Sequence, residues 1–249
     1  MIFRQFLHQT PIGASYLFGC GGRGQCVVVD PVGAVALYED ASRETGMRIV
    51  YVIDTHVHAD HVSGGRALAD ASCASYLLYE STGASEGSRL SDDQELSVGN
   101  VTIRVLHTPG HTPEHISLLV TDRTRGAEPW FVLTGHTLMV GDMGRTELAS
   151  SAERGALALF DSAARLRTLP EHVEVWPGAF AGSVCGRRLS GKASSTIGFE
   201  RRFNRAFATL DRDTFVQMMV TDIPARPDRA DEIRAANLDA VRGASAVQR

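Results

Sequence analysis

The stretch of sequence that decides the fold is residues 55–61, Thr-His-Val-His-Ala-Asp-His, which holds three histidines and an aspartate. It follows an apolar run at 49–53 that predicts a buried strand. Open α/β sheets bind their ligands at the carboxyl ends of strands, and residues two apart on extended backbone point to the same side. His56 and His58 are therefore able to share one ion. Because imidazole nitrogens and carboxylate oxygens are ligands of zinc, iron and manganese, this stretch predicts a metal site.

Three later segments extend the pattern. Residues 108–113 read Thr-Pro-Gly-His-Thr-Pro and residues 133–138 read Leu-Thr-Gly-His-Thr-Leu, each with a histidine at its fourth position. Residues 176–180 read Trp-Pro-Gly-Ala-Phe. In this order the segments resemble the ligand segments of the metallo-β-lactamase superfamily. Two positions differ from that family, since His136 stands where it has aspartate and Ala179 where it has histidine.

Within this superfamily the chain is similar to the persulfide dioxygenases, which bind one non-haem iron and oxidise glutathione persulfide. The residues that resemble this branch are Gly-Asp-Met-Gly-Arg-Thr-Glu-Leu at 141–148, Ala-Gly-Ser-Val-Cys-Gly at 181–186 and the segment at 194–204. The resemblance implies an α/β fold, a metallo-β-lactamase-like αβ/βα sandwich of two mixed sheets with outer helices. We expect a single domain over residues 1–249, with a C-terminal helical part at about 195–241.

The two altered positions predict one metal ion rather than two. A histidine at position 136 is neutral and lacks the paired oxygens with which a carboxylate bridges two metals. Alanine at position 179 removes a ligand of the second ion. We therefore expect one Fe(II) per chain, with Zn(II) as the alternative, bound by three histidines: His56, His111 and His136.

Four further side chains are candidates for the site. His58 is either a fourth ligand or a hydrogen-bonding partner of a ligand. Asp60 and His61 are expected to be weak remnants of the second site, and Asp60 is also a candidate catalytic base or the cap of the following helix. Arg145 is a candidate catalytic-site anchor for a substrate carboxylate, with a structural ion pair to a neighbouring acid as the alternative.

These residues support three functions. The first is a mononuclear non-haem Fe(II) sulfur oxygenase, resembling the persulfide dioxygenases, that acts with O₂ on a persulfide, thiol or thiocarboxylate. The second is a one-zinc hydrolase of a thioester or lactone, resembling glyoxalase II, because a three-histidine zinc activates water at neutral pH. The third is a metal-binding module without turnover, in which the two altered positions reflect lost activity.

The composition is that of one soluble domain. The chain has 249 residues, of which 43% are hydrophobic and 22% charged, and one α/β core accommodates them. Its net charge of −4 provides no basic field, so we expect small-molecule partners rather than nucleic acid or a membrane. We expect a cytoplasmic protein, because the N-terminus has no signal-peptide pattern and no apolar run reaches about 18 residues. A homodimer stays open.

The four cysteines lie at wide spacings, which argues against a disulfide framework and against a thiolate metal site. Cys185 differs from the others because it follows the last motif closely and would line the pocket. Short apolar runs predict strands at 15–18, 26–30, 49–53, 76–79, 101–106, 116–120 and 131–134. Helical periodicity predicts helices at 34–45, 62–71, 152–168, 195–210, 211–220 and 228–241.

Overall fold

A computed structural model describes residues 1–83 and 88–243 of the chain. Within these residues, the strands form two mixed six-stranded sheets and one two-stranded hairpin, and α-helices pack on the outer faces. None of the helices in this part of the chain is both long enough and apolar enough to cross a bilayer.

Most of the strands are short, and the first sheet contains six of them: β1 (Ile2–Gln9), β2 (Ile12–Cys20), β3 (Gln25–Val29), β4 (Arg48–Ile53), β5 (Ser75–Tyr79) and β6 (Arg89–Leu90). The second sheet begins with β7 (Glu95–Val98), β8 (Val101–His107), β9 (Ile116–Asp122) and β10 (Phe131–Gly135). A hairpin follows, made of β11 (Leu138–Met139) and β12 (Asp142–Met143). The second sheet is completed by β13 (Glu174–Pro177) and β14 (Ser195–Thr196).

The described residues form seven α-helices: α1 (Val35–Thr45), α2 (Gly65–Ser72), α3 (Ala152–Arg167), α4 (Ile197–Phe203), α5 (Arg205–Ala208), α6 (Arg212–Val220) and α7 (Ala230–Gly243). Four of these, α3 to α6, begin at side-chain caps. Ser151 accepts a hydrogen bond from the Arg154 amide at the start of α3, and Asp211 accepts one from the Thr214 amide at the start of α6. Such caps satisfy amide groups that the first helical turn leaves free.

The order of the strands brings several carboxyl ends to one edge. In the first sheet β3, β4, β5 and β6 pair in parallel, whereas β1, β2 and β3 pair antiparallel. In the second sheet β8 and β10 are both antiparallel to β9, so they run in the same direction, and β13 is parallel to β10. The loops after β8, β10 and β13 therefore leave the second sheet at the same edge.

The main core lies between the two sheets. Aromatic side chains meet there, with the ring of Phe3 4.8 Å from Trp176 and 5.2 Å from Phe131, and Phe18 5.4 Å from Phe131, between ring centroids. Two more clusters of buried apolar residues lie on the outer faces, one under α1 and α2 and one under α3 and α6. Each fully buried apolar side chain contributes about 1.5–3 kcal/mol to folding.

The predicted fold class is confirmed, with corrections to individual elements. β1 was not predicted, because it is an edge strand whose residues stay half-exposed and its apolar signal is weak. The helix predicted from 62 begins at Gly65. The helix predicted at 195–210 is interrupted: Thr196 accepts from the Phe199 amide to start α4, and Asn204 accepts from the Phe207 amide to start α5. Side chains that bond the local backbone in this way break a continuous helix.

Candidate metal centre

Four loops meet at one edge of the sandwich and supply its polar side chains. Residues 54–64 follow β4, residues 108–115 follow β8, His136 follows β10 directly, and residues 178–194 follow β13. A backbone hydrogen bond of 2.8 Å from the Ile116 amide to the Thr55 carbonyl joins the two sheets here. Residues that are distant in the sequence therefore converge, as expected where strands of an open sheet end.

Three histidines form a nearly equilateral triangle at this edge. The ring centroids of His56, His111 and His136 are 4.8 to 5.0 Å apart. One ring nitrogen of each lies within 4.8 Å of the other two, and all three residues are buried. The structure thus brings together the three residues that the sequence predicts as ligands of one metal ion.

Hydrogen bonds fix which nitrogen of His56 is free. The Thr55 hydroxyl donates to Asp30 Oδ2 at 2.8 Å, so its oxygen accepts from His56 Nδ1–H at 2.9 Å. The Nε2 atom of His56 is then bare, buried and without a hydrogen-bond partner among the described residues. A bare, buried imidazole nitrogen fits a metal ligand, and a carboxylate behind it is the usual support for one.

The other two histidines face each other. His111 Nδ1–H donates to the carbonyl oxygen of Arg145 at 2.8 Å, which leaves its Nε2 bare. That nitrogen lies 3.3 Å from His136 Nδ1. Together with the bare Nε2 of His56, these two imidazole nitrogens form a set of three donors that a divalent cation fits.

Burial keeps these ligands neutral. It lowers the pKa of His111 to about 3, with the neighbouring His136 as the next cause. The pKa of His56 also lies well below its usual value because of burial and then the nearby His58, and burial lowers the pKa of His136. Neutral imidazole is the form that binds metals, so the centre is ready to ligate at neutral pH.

His115 fixes the backbone at His136 without belonging to the triangle. Its Nε2 accepts from the His136 amide at 3.0 Å, and its Nδ1 lies 3.0 Å from the Thr137 hydroxyl. Gly135 precedes with φ of +47°, and a Cβ there would lie 2.5 Å from His115 Nε2. Glycine is therefore required at this position for the histidine ligand to be presented.

The remaining acids and histidines of the first motif form a second cluster. His58 Nε2 lies 3.3 Å from Asp30 Oδ1, and its Nδ1 lies 3.7 Å from Asp60 Oδ1, which is 3.1 Å from His61 Nδ1. Burial alone would lower the pKa of His58, but Asp30 and Asp60 hold it well above its usual value. His58 thus contacts two carboxylates, and both of its predicted roles, fourth ligand or hydrogen-bonding partner of a ligand, stay predictions. Asp60 does not cap the next helix, whose N-cap is Gly64.

Asp30 is a residue of the site that the sequence alone did not reveal. It follows β3, the parallel neighbour of β4, and accepts from the Thr55 amide at 2.6 Å as well as from its hydroxyl. An acid at the end of a predicted strand, 26–30, was the available signal, but nothing in the sequence pairs β3 with β4. Asp54, which directly precedes the first motif, accepts from the Tyr76 hydroxyl at 2.5 Å.

Arg145 is buried and bound to protein groups. Its guanidinium pairs with Glu147 and donates to the carbonyl oxygens of Val184, Pro224 and Ala225. These contacts occupy the side chain fully, so the structure favours the ion-pair alternative over a substrate anchor. The Arg145 side chain instead connects the loops that contain Val184 and Pro224, and the Arg145 carbonyl oxygen accepts the hydrogen bond from His111.

The C-terminal helix α7 holds the first motif from outside. Asn237 is buried and donates to the carbonyl oxygens of His58 and His61, both at 2.9 Å, while its own oxygen accepts from the Ser63 amide at 2.9 Å. Arg234 donates to the Val57 carbonyl oxygen at 2.9 Å. No sequence pattern predicts these contacts, because they depend on how α7 packs against a loop about 175 residues earlier.

A cleft of about 260 Å³ leads to the second cluster. Asp60, Ser183 and Asp228 line it together with backbone and small apolar side chains. Cys185, two residues beyond Ser183, is buried, and its sulfur lies near Asp60 and His136. The expectation that Cys185 would be close to the site agrees with this position.

Comparison with known proteins identifies the family. The model of the metallo-beta-lactamase superfamily matches residues 10–82. The crystal structure of a metallo-beta-lactamase from Staphylococcus aureus subsp. aureus COL superposes with a TM-score of 0.89 at 34% identity, over 95% of this chain and 72% of that one. The chain belongs to the metallo-β-lactamase superfamily.

Similar members of the superfamily include an oxygenase and hydrolases. The crystal structure of ETHE1 from Myxococcus xanthus has a TM-score of 0.82 at 31% identity and covers 96% of this chain and 98% of that chain. The human mitochondrial persulfide dioxygenase ETHE1 is 26% identical over 243 residues, which is 96% of this chain and 88% of that protein. Hydroxyacylglutathione hydrolases are also among the similar proteins. Most members of this group are metal-dependent enzymes, and the histidine cluster of this chain suits a metal.

Proposed function

We propose that this chain is a mononuclear iron-dependent sulfur oxygenase, which uses O₂ to oxidise the sulfur of a persulfide, thiol or thiocarboxylate. The observation behind the proposal is the triangle of buried, neutral imidazoles from His56, His111 and His136. Three neutral ligands leave the full charge of a divalent cation in place, and this charge attracts an anionic sulfur. Bound iron would supply the redox chemistry with O₂.

The match to the persulfide dioxygenases supports this reaction, because it covers nearly the whole chain. The altered position 136 supports it as well. The family's aspartate at this position has two oxygens with which to bridge two metals or complete one site, whereas His136 offers a single nitrogen to the triangle.

The protein's own residues shape the access route. The cleft is small, and its lining includes the carboxylates of Asp60 and Asp228 but no lysine or arginine among the described residues. Burial alone would raise the pKa of Asp60, but His61 and His58 hold it well below its usual value, so this side chain stays charged. A small substrate without a carboxylate near its sulfur fits this opening better than a large anionic one.

A zinc hydrolase of thioesters is the second candidate function. The hydroxyacylglutathione hydrolases among the relatives favour it, and three histidines are also a ligand set of catalytic zinc. The two candidates need different co-reactants, O₂ for the oxygenase and only water for the hydrolase, which makes them separable by one experiment.

The experiment compares iron-loaded and zinc-loaded protein prepared without oxygen. O₂ consumption is measured across persulfides, thiols and thiocarboxylates, including glutathione persulfide and an uncharged alkyl persulfide, beside thioester hydrolysis. We expect sulfur-dependent O₂ uptake by the iron form alone, faster with the uncharged persulfide. Thioester hydrolysis by the zinc form without O₂ uptake by the iron form would establish the hydrolase instead. Absence of both reactions would indicate a metal-binding module.

A further inference from the structure

Val57 follows the ligand His56 directly, and charged side chains bind both of its backbone groups. Its amide donates to Glu114 Oε1 at 3.1 Å. Its carbonyl oxygen accepts from the Arg234 guanidinium at 2.9 Å. Because His56 and Val57 share a peptide bond, the contacts that fix Val57 also restrict where the His56 ring lies.

Glu114 comes from the loop that carries another ligand, since it lies three residues after His111. Two residues beyond Glu114, the Ile116 amide donates to the Thr55 carbonyl oxygen at 2.8 Å. His56 is therefore held on both sides by the same segment, through the residue before it and through the residue after it. The spacing between His56 and His111 depends on these two links.

The helix α7 keeps the Glu114 side chain in place. Arg234 of α7 donates to both carboxylate oxygens of Glu114, at 3.1 Å to Oε1 and 3.3 Å to Oε2. The side chains are 6% exposed for Glu114 and 18% exposed for Arg234. Two charge-assisted hydrogen bonds that are shielded from water fix the orientation of a carboxylate more firmly than one exposed ion pair does. The carboxylate is therefore not free to turn away from the Val57 amide.

We propose that Glu114 is a positioning residue of the metal centre, which holds His56 at ligating distance from His111 through the Val57 amide. Glu114 does not itself bind the metal, and Arg234 fixes its orientation. A functional centre needs its groups within about 0.5 Å of the working geometry, and a loop reaches this only with such support. The role concerns the three-histidine centre and does not depend on the reaction that the centre catalyses.

The test is a titration of metal-free protein with Co²⁺ in the absence of oxygen, followed by visible absorption. The midpoint gives the affinity, and the spectrum at saturation reports the number and arrangement of the ligands. Glu114→Ala should bind Co²⁺ at least about tenfold more weakly. Its saturated spectrum should also differ from that of the unchanged protein, because His56 is no longer held in place.

Phe215→Leu is the control for a loss of stability alone, because Phe215 lies in the buried cluster under α3 and α6. Urea unfolding compares the stability losses of this variant and Glu114→Ala. Phe215→Leu should keep the saturated Co²⁺ spectrum of the unchanged protein. A spectrum that is also unchanged in Glu114→Ala, whatever the affinity, would overturn the proposal, because Glu114 would then support only the fold.

Two further variants examine the bond to Val57. Glu114→Gln retains an oxygen that accepts from this amide and should restore the spectrum. Glu114→Asp withdraws the carboxylate by about 1.5 Å and should behave like Glu114→Ala, which it replaces if that variant does not fold. A Glu114→Gln protein with the altered spectrum, or an unchanged protein that binds no Co²⁺, would also overturn the proposal. None of these measurements uses O₂ or a sulfur substrate, so their outcome is independent of the proposed oxygenase reaction.

Discussion

At the scale of single residues, the support behind each histidine matters as much as the nitrogen that faces the metal. His56 is held through the Thr55 hydroxyl by the buried carboxylate of Asp30. Burial alone would raise the pKa of Asp30, but bonds from His58 and Thr55 lower it, so the carboxylate stays charged. A charged acceptor at the end of this relay keeps the Nδ1 proton in place and Nε2 free for a metal.

Replacing the relay hydroxyl tests this role. Thr55→Val keeps the shape of the side chain but removes the bonds to Asp30 and His56. We expect it to weaken iron binding by about 10- to 100-fold, as is typical when a partner of a metal ligand is lost. Thr55→Ser, which keeps the hydroxyl, is the matched control. The measurement is competition for Fe(II) with a chelator, and equal affinities in the two variants would show that the relay is unimportant.

At the scale of elements, the centre depends on strands that end together and on a helix that closes over one loop. The three ligands were predictable because each follows an apolar run, β4, β8 or β10, within a recognisable motif. The contacts of Asn237 and Arg234 were not, since α7 looks like any amphipathic surface helix until it packs. Asp30 was predictable only in part. Its strand, β3, was predicted, but the pairing of β3 with β4 was not.

The helix contact predicts a measurable loss. Asn237→Ala removes three hydrogen bonds, which leaves the carbonyl groups of His58 and His61 without these donors and the Ser63 amide without this acceptor. We expect a loss of about 1–3 kcal/mol of unfolding free energy, together with weaker metal binding because the motif loop is freer. Asp239→Ala, at an exposed position of α7, is the control. Urea unfolding and a metal titration measure both effects. If metal affinity stays unchanged while stability falls, α7 supports the fold but does not position the ligands.

At the scale of the whole molecule, sequence patterns recovered the fold class because the two sheets and their outer helices each have a clear periodicity. They placed Cys185 near the pocket but did not place it against Asp60. Asp60 and Cys185 are 125 positions apart in the chain, and their proximity depends on the packing of the two sheets. The electrostatics of the site are likewise a property of the folded molecule, since burial is what keeps His56, His111 and His136 neutral.

Those buried neutral histidines predict how stability depends on pH. Burial lowers the pKa values of His56, His111 and His115 in the folded protein. Below about pH 6.5 these histidines therefore bind protons in the unfolded chain but stay neutral in the folded protein. Stability of the metal-free protein should therefore fall as the pH decreases from about 6.5 toward 4, by about 1.4 kcal/mol per pH unit for each such histidine.

His115→Gln tests this prediction without removing a ligand. Urea unfolding of the metal-free protein at several pH values between 4 and 7 gives the slope of stability against pH. The slope of unfolding free energy against pH should be smaller in the variant by roughly 1.4 kcal/mol per pH unit, because one histidine fewer binds a proton on unfolding. An unchanged slope would mean that His115 is protonated in the folded protein.

The most direct test of the three-histidine centre is the iron content and sulfur-dependent O₂ uptake of His136→Ala beside the unchanged protein. His136 is one of the two positions at which this chain differs from the family pattern, and in the structure it completes the triangle. His172→Ala, which removes an exposed histidine away from the centre, is the control. We predict about one iron at the triangle in the unchanged chain and the control, and loss of both iron and O₂ uptake in His136→Ala. A His136→Ala protein that retains its iron and its activity would contradict the account.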